Sequence, residues 1–209
     1  YGRAGAGKTR LIETCPRPII FSAESGLLSL AHTSIPVATI RNIKDLADAY
    51  EWAVMSPDAK NFDTICLDSI SEIAEALLSA ERKKSKDPRQ AYGEMQDQIA
   101  TQIRMFRDLP GKHVYFSAKL EQRNSESTGS GAAQCGPAMP GSKTSQGMAY
   151  YFDEVFMLGI GNVPGTTPPQ TYRYLQTQPD FMNEAKDRSG KLEPIEEANL
   201  GKIFQKITG

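Results

Sequence analysis

The chain has 209 residues, which is enough for one domain with a sizeable core, and its 39% apolar and 23% charged content resembles that of ordinary soluble proteins. The net charge of −1 excludes a uniformly basic, nucleic-acid-coating surface but not a local basic channel. Three cysteines without C-x-x-C spacing and only two histidines argue against a zinc site and suit a reducing compartment. Neither a signal peptide nor a run of about 18 apolar residues is present, so we expect a cytoplasmic protein without a membrane partner.

The first residues carry the most specific motif. Residues 2–9 read G-R-A-G-A-G-K-T and satisfy the phosphate-binding pattern G-x-x-x-x-G-K-[ST]. Glycines let successive backbone N–H groups converge on a phosphate, in conformations that a Cβ would obstruct. Lys8 is expected to reach the β- and γ-phosphates and the Thr9 hydroxyl to hold Mg²⁺. The predicted ATP site comprises Gly2, Arg3, Ala4, Gly5, Ala6, Gly7, Lys8, Thr9 and Arg10.

A phosphate-binding loop normally follows a buried strand, whereas only Tyr1 precedes this one. Either the strand is missing from this sequence or another segment fills its place. We expect the first, because a parallel sheet without its central strand would leave backbone groups unpaired.

Strands and helices are predicted to alternate after the loop. An apolar run over residues 18–21 indicates a buried strand, and residues 37–40 a weaker one. Helical spacing predicts an amphipathic helix over residues 43–54. This order is typical of an α/β protein with a parallel sheet.

Asp68 is the second candidate site residue. It ends an apolar strand predicted over residues 62–69, which is the Walker B arrangement. A carboxylate there holds the metal ion opposite the phosphate-binding loop, directly or through water. The alternative is an aspartate that only caps the following helix; pairing with the loop favours the metal role.

Two glutamates are candidates for the catalytic base. Glu24 follows the first predicted strand, where a carboxylate can face the γ-phosphate and orient a water molecule. Glu72 lies near Asp68, but the sequence S-I-S-E from Ser69 matches a helix-capping box that already accounts for it. We therefore favour Glu24 and keep Glu72 as the alternative.

The middle of the chain offers candidates for nucleic-acid contact. Residues 81–89 form a charge run, which is either a solvated helix end or a contact to a nucleic-acid backbone. A helix over residues 92–106 and a strand over 113–118 follow. Residues 119–148 contain much Gly, Ser, Ala, Gln and Pro, and they predict a long mobile loop without aromatic residues for base stacking. The DNA-binding candidates in this loop are Lys119, Gln122, Arg123 and Lys143.

The last part of the chain predicts a C-terminal β-hairpin and helix. Residues 151–158 read as a strand, and residues 171–177 alternate like the second arm of a hairpin. Lys-Asp-Arg stands at residues 186–188, and residues 200–207 have the apolar spacing of a helix.

The order of these motifs resembles the RecA-like ATPase core. More narrowly, it resembles the phage-encoded, core-only nucleotide-binding proteins of the Sak type, which are implicated in single-strand annealing and recombination. The resemblance covers essentially the whole chain, so a single domain over residues 1–209 is implied. It rests on the loop and the two carboxylates and on later motifs, namely Tyr92-Gly93-Glu94 and residues 108–111, 136–141, 151–155 and 185–188.

The resemblance implies an α/β, RecA-like P-loop fold with a mostly parallel central sheet flanked by helices. It implies that Glu24 activates water, that Asp68 binds the metal, and that the segment from Lys119 senses nucleotide and contacts DNA. Lys186 and Arg188 resemble the cations that reach the γ-phosphate of a neighbouring subunit, in a homo-oligomer or filament, and such a cation stabilises transition-state charge.

Two functional hypotheses follow. The first is a Mg-ATP-dependent ATPase that assembles on single-stranded DNA, with a single-strand-binding protein as a candidate partner. The second is a replication or packaging accessory that binds ATP as an assembly switch and has negligible DNA affinity. A small-molecule P-loop kinase fits less well, since no Arg-rich lid is evident.

Overall fold

The central element is a four-stranded parallel sheet. The structure, a computed structural model, describes residues 1–24, 27–85, 87–124 and 133–209. The sheet has the order β2-β1-β3-β4. Its strands are β1 (Pro18–Ser22), β2 (Val37–Thr39), β3 (Thr64–Asp68) and β4 (His113–Phe116). The carboxyl ends of β1 and β3 are in register, so Ser22 pairs with Asp68 and the residues that follow both strands meet at one edge.

Helices and three smaller sheets surround this sheet. The helices are α1 (Lys8–Leu11), α2 (Ile43–Met55), α3 (Ile70–Lys84), α4 (Pro88–Arg107), α5 (Ser142–Gly147) and α6 (Leu200–Thr208). The remaining strands are β5 (Leu120–Asn124), β6 (Ala133–Pro137), β7 (Glu154–Val155), β8 (Met157–Asn162), β9 (Thr171–Gln176), β10 (Lys186–Asp187) and β11 (Ile195–Glu197). They form the smaller sheets with the strand orders β10-β7, β11-β9-β8 and β5-β6. Asn42, Ser69 and Asp87 cap α2, α3 and α4 by accepting backbone N–H groups.

Alternate residues of the sheet supply two cores. Ile65 and Leu67 of β3 pack with α2, α3 and α4, whereas Cys66 between them packs on the opposite side with α1, β8, β9 and α6. Burial on both faces explains why β3 is a continuous apolar run rather than an alternating one. The architecture confirms the predicted α/β class, in which helices flank a parallel sheet and a β-hairpin and helix follow.

Tyr1 and Gly2 lie between β4 and β8. The Gly2 N–H donates to the Ala118 carbonyl at 3.3 Å, and the Leu158 N–H donates to the Tyr1 carbonyl at 2.8 Å. Gly2 and Lys119 form a parallel bridge. The backbone that leads into the phosphate-binding loop is thereby fixed between two strands. A cavity of about 290 Å³ alongside it is lined by parts of β4, β7, β8 and α6.

Two expectations need correction. Residues 119–148 were predicted to be a long loop, but the described part contains an antiparallel hairpin, β5–β6, followed by α5. Polar residues on both faces of this hairpin hide the alternation by which strands are recognised. The single strand predicted over residues 151–158 is instead the short β7 and the beginning of β8, separated by Phe156. Strand β8 pairs with β9, which confirms the hairpin.

Candidate nucleotide and metal site

The phosphate-binding loop has the backbone that its glycines permit. Gly5 and Gly7 have φ angles of +76° and +101°, in the left-handed region that disfavours residues with a Cβ. Gly7 is the residue before α1. A Cβ on Gly5 would meet no heavy atom within 4 Å, so only backbone strain selects glycine there. The loop is therefore open above Gly5, where an anion can approach the backbone.

The Lys8 ammonium folds back over this loop. Its Nζ donates to the carbonyl oxygens of Gly2 and Arg3, at 3.0 and 3.1 Å. Burial lowers the pKa of Lys8, and the nearby carboxylates of Asp68 and Glu24 oppose that shift. The ammonium therefore lies near Asp68, which ends β3, and Glu24, which follows β1.

Two hydroxyl groups hold Asp68 at the carboxyl end of β3. The Thr9 hydroxyl donates to Asp68 Oδ2 at 2.6 Å, and the Ser117 hydroxyl donates to Oδ1. Asp68 is only 1% exposed. A hydroxyl and a carboxylate are the hard oxygen ligands that Mg²⁺ prefers when phosphate oxygens complete its coordination. Thr9 and Asp68 therefore fit a magnesium ion bound with nucleotide.

Glu24 lies at the same edge as Asp68. The Ser69 hydroxyl donates to Glu24 Oε1 at 3.4 Å. Burial, followed by the charges of Asp68 and Glu72, raises the pKa of Glu24, which makes this carboxylate a better proton acceptor. The structure thus places the Glu24 carboxylate at the carboxyl end of the sheet, joined to Asp68 through the neighbouring Ser69.

Glu72 is occupied by other contacts. Its backbone N–H donates to the Ser69 hydroxyl at 3.4 Å, so Ser69 caps α3. The Glu72 carboxylate, however, pairs with Lys119 and not with the Ser69 N–H as the predicted capping box requires. The Lys119 ammonium also contacts Glu75 at 3.0 Å. These contacts agree with the preference for Glu24 as the base.

The other DNA-binding candidates are distributed along the β5–β6 hairpin and α5. Arg123 is paired with Glu121 at 2.6 Å and with Glu184 at 3.3 Å, and its side chain is only 20% exposed. Gln122 is exposed on the same strand. The prediction for Lys143 falls on a side chain outside the described part. Of these candidates, Gln122 presents a side chain directly to solvent.

Lys186 and Arg188 differ in their surroundings. Lys186 Nζ donates to the Phe152 carbonyl at 2.6 Å, so its ammonium is bound within its own chain. Arg188 is 71% exposed, with one contact to Asp153 at 3.0 Å. Of these two cations, Arg188 is the one whose side chain is exposed enough to contact a neighbouring subunit.

Sequence reasoning missed two residues of the site. Ser117 was seen only as the end of a strand, and its bond to Asp68 depends on the pairing of β3 with β4. Arg173 on β9 donates from Nε to the Ala6 carbonyl at 2.7 Å. Its position in an alternating strand gave the only signal, because alternation places it on the same face as Leu175, which packs in the core that contains Ala6.

The comparisons with known proteins gave a match to a family model and a match to a solved structure. A family model described as "AAA domain" matches residues 1–189. A solved structure of a KaiC-like protein from the hyperthermophilic archaeon Pyrococcus horikoshii OT3 is 14% identical, with a TM-score of 0.44; the alignment covers 83% of this chain and 74% of that one. No curated protein sequence matches the chain.

The residues that match the family model include those of the candidate site. The matched span includes the phosphate-binding loop, Glu24, Asp68 and the Lys-Asp-Arg segment. Among the described residues, none of the helices is both long enough and apolar enough to cross a lipid bilayer. The chain belongs to the AAA domain family of P-loop ATPases.

Proposed function

We propose that this protein is a Mg-ATP-dependent ATPase that acts on single-stranded DNA in phage recombination or strand annealing. The observation that carries the ATPase part is the Thr9–Asp68–Ser117 hydrogen-bonded set beside a phosphate-binding loop. The resemblance to Sak-type proteins supports the DNA part. ATP is the substrate in this proposal and Mg²⁺ its companion ion.

Each residue of the site has a distinct task. The amides of the loop and the Lys8 ammonium bind the phosphates. Thr9 and Asp68 hold Mg²⁺, which when bound neutralises developing charge on the phosphates. Glu24, at the adjacent strand end, orients the attacking water and accepts its proton. Ser117 fixes the orientation of the Asp68 carboxylate by donating to the oxygen that Thr9 leaves free.

The β5–β6 hairpin is connected to the nucleotide site through few atoms. Ser117 contacts Asp68, and Lys119, two residues later, is paired with Glu72 on the helix that Ser69 caps. Strand β5 begins directly after Lys119. Ser117 and Lys119 therefore connect Asp68 and α3 to the chain within three residues of the first strand of the hairpin, which supports nucleotide-dependent DNA contact by this segment.

A neighbouring subunit completes each site in this proposal. Arg188 is exposed beyond β10, and one contact with Asp153 leaves most of its guanidinium accessible. An arginine supplied by a neighbour stabilises the transition-state charge on the transferred phosphoryl group. Assembly of a homo-oligomer on DNA would then couple hydrolysis to subunit contact.

A specific observation favours the second candidate function, a nucleotide-gated replication or packaging accessory. Lys119 and Arg123 are each paired with two carboxylates, so neither presents an uncompensated positive charge to DNA. In that case ATP would drive assembly without DNA affinity.

Salt-titrated binding of a fluorescent oligodeoxynucleotide separates the two functions. With a non-hydrolysable ATP analogue and Mg²⁺, a DNA-acting protein shows a log–log salt slope of about −0.7 per neutralised phosphate. Lys119→Ala should weaken this binding, and Lys60→Ala, an exposed lysine distant in sequence, is the matched control. Absence of single-strand affinity at low salt in the ATP-loaded protein would refute the DNA proposal and leave the accessory function.

A further inference from the structure

Arg173 reaches the phosphate-binding loop from the C-terminal hairpin. Leu158 of β8 and Leu175 of β9 pack in the same core as Ala6, so the hairpin is fixed against the loop. Arg173 is on the face of β9 that also carries Leu175, and its Nε donates to the Ala6 carbonyl at 2.7 Å. Packing therefore fixes the β9 backbone at Arg173, and the hydrogen bond to Ala6 holds the side chain on the loop.

The side chain lies directly on Gly7. A Cβ added to Gly7 would be 2.7 Å from Arg173 Nε and 3.2 Å from its Cδ, so the loop and the arginine are in contact at the residue that precedes Lys8. The positive φ of Gly7 selects glycine at this position, whereas the contact is with the end of a flexible side chain that can shift. The guanidinium therefore lies against the phosphate-binding loop at Ala6 and Gly7.

The guanidinium has donors left over. Nε uses one of the five N–H groups of Arg173. In the part of the chain that the structure describes, Nη1 and Nη2 have no hydrogen-bond acceptor and no carboxylate within ion-pair distance. Arg173 is exposed on its outer side. Among the described residues, the two Nη groups are therefore available to an anion at the phosphate-binding loop.

We propose that Arg173 binds the phosphate chain of the nucleotide in its own subunit, through Nη1 and Nη2, while Nε keeps its bond to Ala6. This inference rests on the proposed nucleotide function and adds a phosphate ligand from the C-terminal hairpin. The fork of a guanidinium suits two phosphate oxygens, and a lysine at the same place supplies only a point charge.

Binding measurements on the whole chain test this role. Dissociation constants for ATP, ADP and inorganic pyrophosphate, each with Mg²⁺, are measured by titration calorimetry for the wild type, Arg173→Ala, Arg173→Lys and the control Arg41→Ala, an exposed arginine outside the site. A charge-assisted contact predicts a loss of about 10- to 100-fold for all three ligands in Arg173→Ala, since such a bond contributes about 1.5–3 kcal/mol. Arg173→Lys should recover part of the loss, and Arg41→Ala none.

Each other outcome has a defined meaning. Arg173→Ala with wild-type affinity for ATP and pyrophosphate overturns the inference. A loss for ATP without a loss for pyrophosphate also overturns it, because the contact is then with the base or the ribose. If Arg173→Ala is less stable in thermal unfolding, Arg173→Lys decides: an affinity no better than that of the alanine variant means a structural role. A wild type and Lys8→Ala that both fail to bind ATP refute the proposed function itself.

Discussion

The surroundings of Glu154 predict the direction and the size of a change in the free energy of unfolding with pH. Its Oε1 accepts the Ser189 N–H at 3.1 Å, while Oε2 is buried without a hydrogen-bond partner among the described residues. Asp187 lies nearby, on the strand paired with β7. Burial, aided by the charge of Asp187, raises the pKa of Glu154 from 4.5 to about 7. The change to be made is Glu154→Gln, which imitates the protonated form.

The magnitude follows from linkage. Between pH 4.5 and about 7 the folded protein keeps a proton on Glu154 that the unfolded chain has lost, so the free energy of unfolding falls as pH rises. The interval of about 2.5 pH units corresponds to about 3.4 kcal/mol. Because the carboxyl is only partly buried, solvent screening reduces this to about 2 kcal/mol. Asp187 has a lowered pKa, so its own contribution is lost only in more acidic solution.

Urea unfolding at several values between pH 5 and pH 8 measures the effect. We expect the wild type to lose about 2 kcal/mol relative to Glu154→Gln over this range, so that the variant is the more stable protein at pH 8. Glu94→Gln, an exposed residue on α4, is the matched control and should run parallel to the wild type. Parallel curves for the wild type and Glu154→Gln would refute the reasoning.

The remaining predictions concern the nucleotide site. Glu24→Gln should bind Mg-ATP normally and lose turnover in a phosphate-release assay; retained hydrolysis would transfer the role of base elsewhere. Thr9→Ala should reduce the Mg²⁺-dependent part of ATP affinity by about 10-fold in calorimetry, because one ligand to the ion is lost; an unchanged response to Mg²⁺ contradicts this role. Arg188→Ala should lower DNA-stimulated hydrolysis and regain it when mixed with Lys8→Ala, whereas activity that stays low in the mixture argues against a contribution from a neighbour.

Local patterns predicted the nucleotide loop, the strand that precedes Glu24 and the strand that ends in Asp68. The glycines of the loop predict its backbone conformation, and the apolar run ending in Asp68 predicts a buried strand. In both cases a few consecutive residues are sufficient. Parallel pairing then brings the strand ends together without further information. The fold class was accessible from sequence for this reason.

Long-range contacts were not accessible in this way. Arg173 touches a loop 167 residues away, and nothing local distinguishes it from a solvated arginine in an edge strand. The pairing of Arg123 with Glu184 across 61 residues likewise turned a DNA-binding candidate into a largely buried ion pair. The β5–β6 hairpin was missed because β5, which has Glu, Gln, Arg and Asn after Leu120, lacks an apolar face.

In the proposed complex with single-stranded DNA, the pairing of Lys119 with two glutamates makes DNA binding an ion-exchange reaction. A DNA phosphate that takes this ammonium must displace Glu72 and Glu75, and the released carboxylates then attract cations from solution. Cation uptake by the protein offsets cation release from the DNA, so Lys119 would add affinity while contributing little to the slope of a salt titration. Counting basic residues near the hairpin would therefore overstate how sharply salt dissociates the complex.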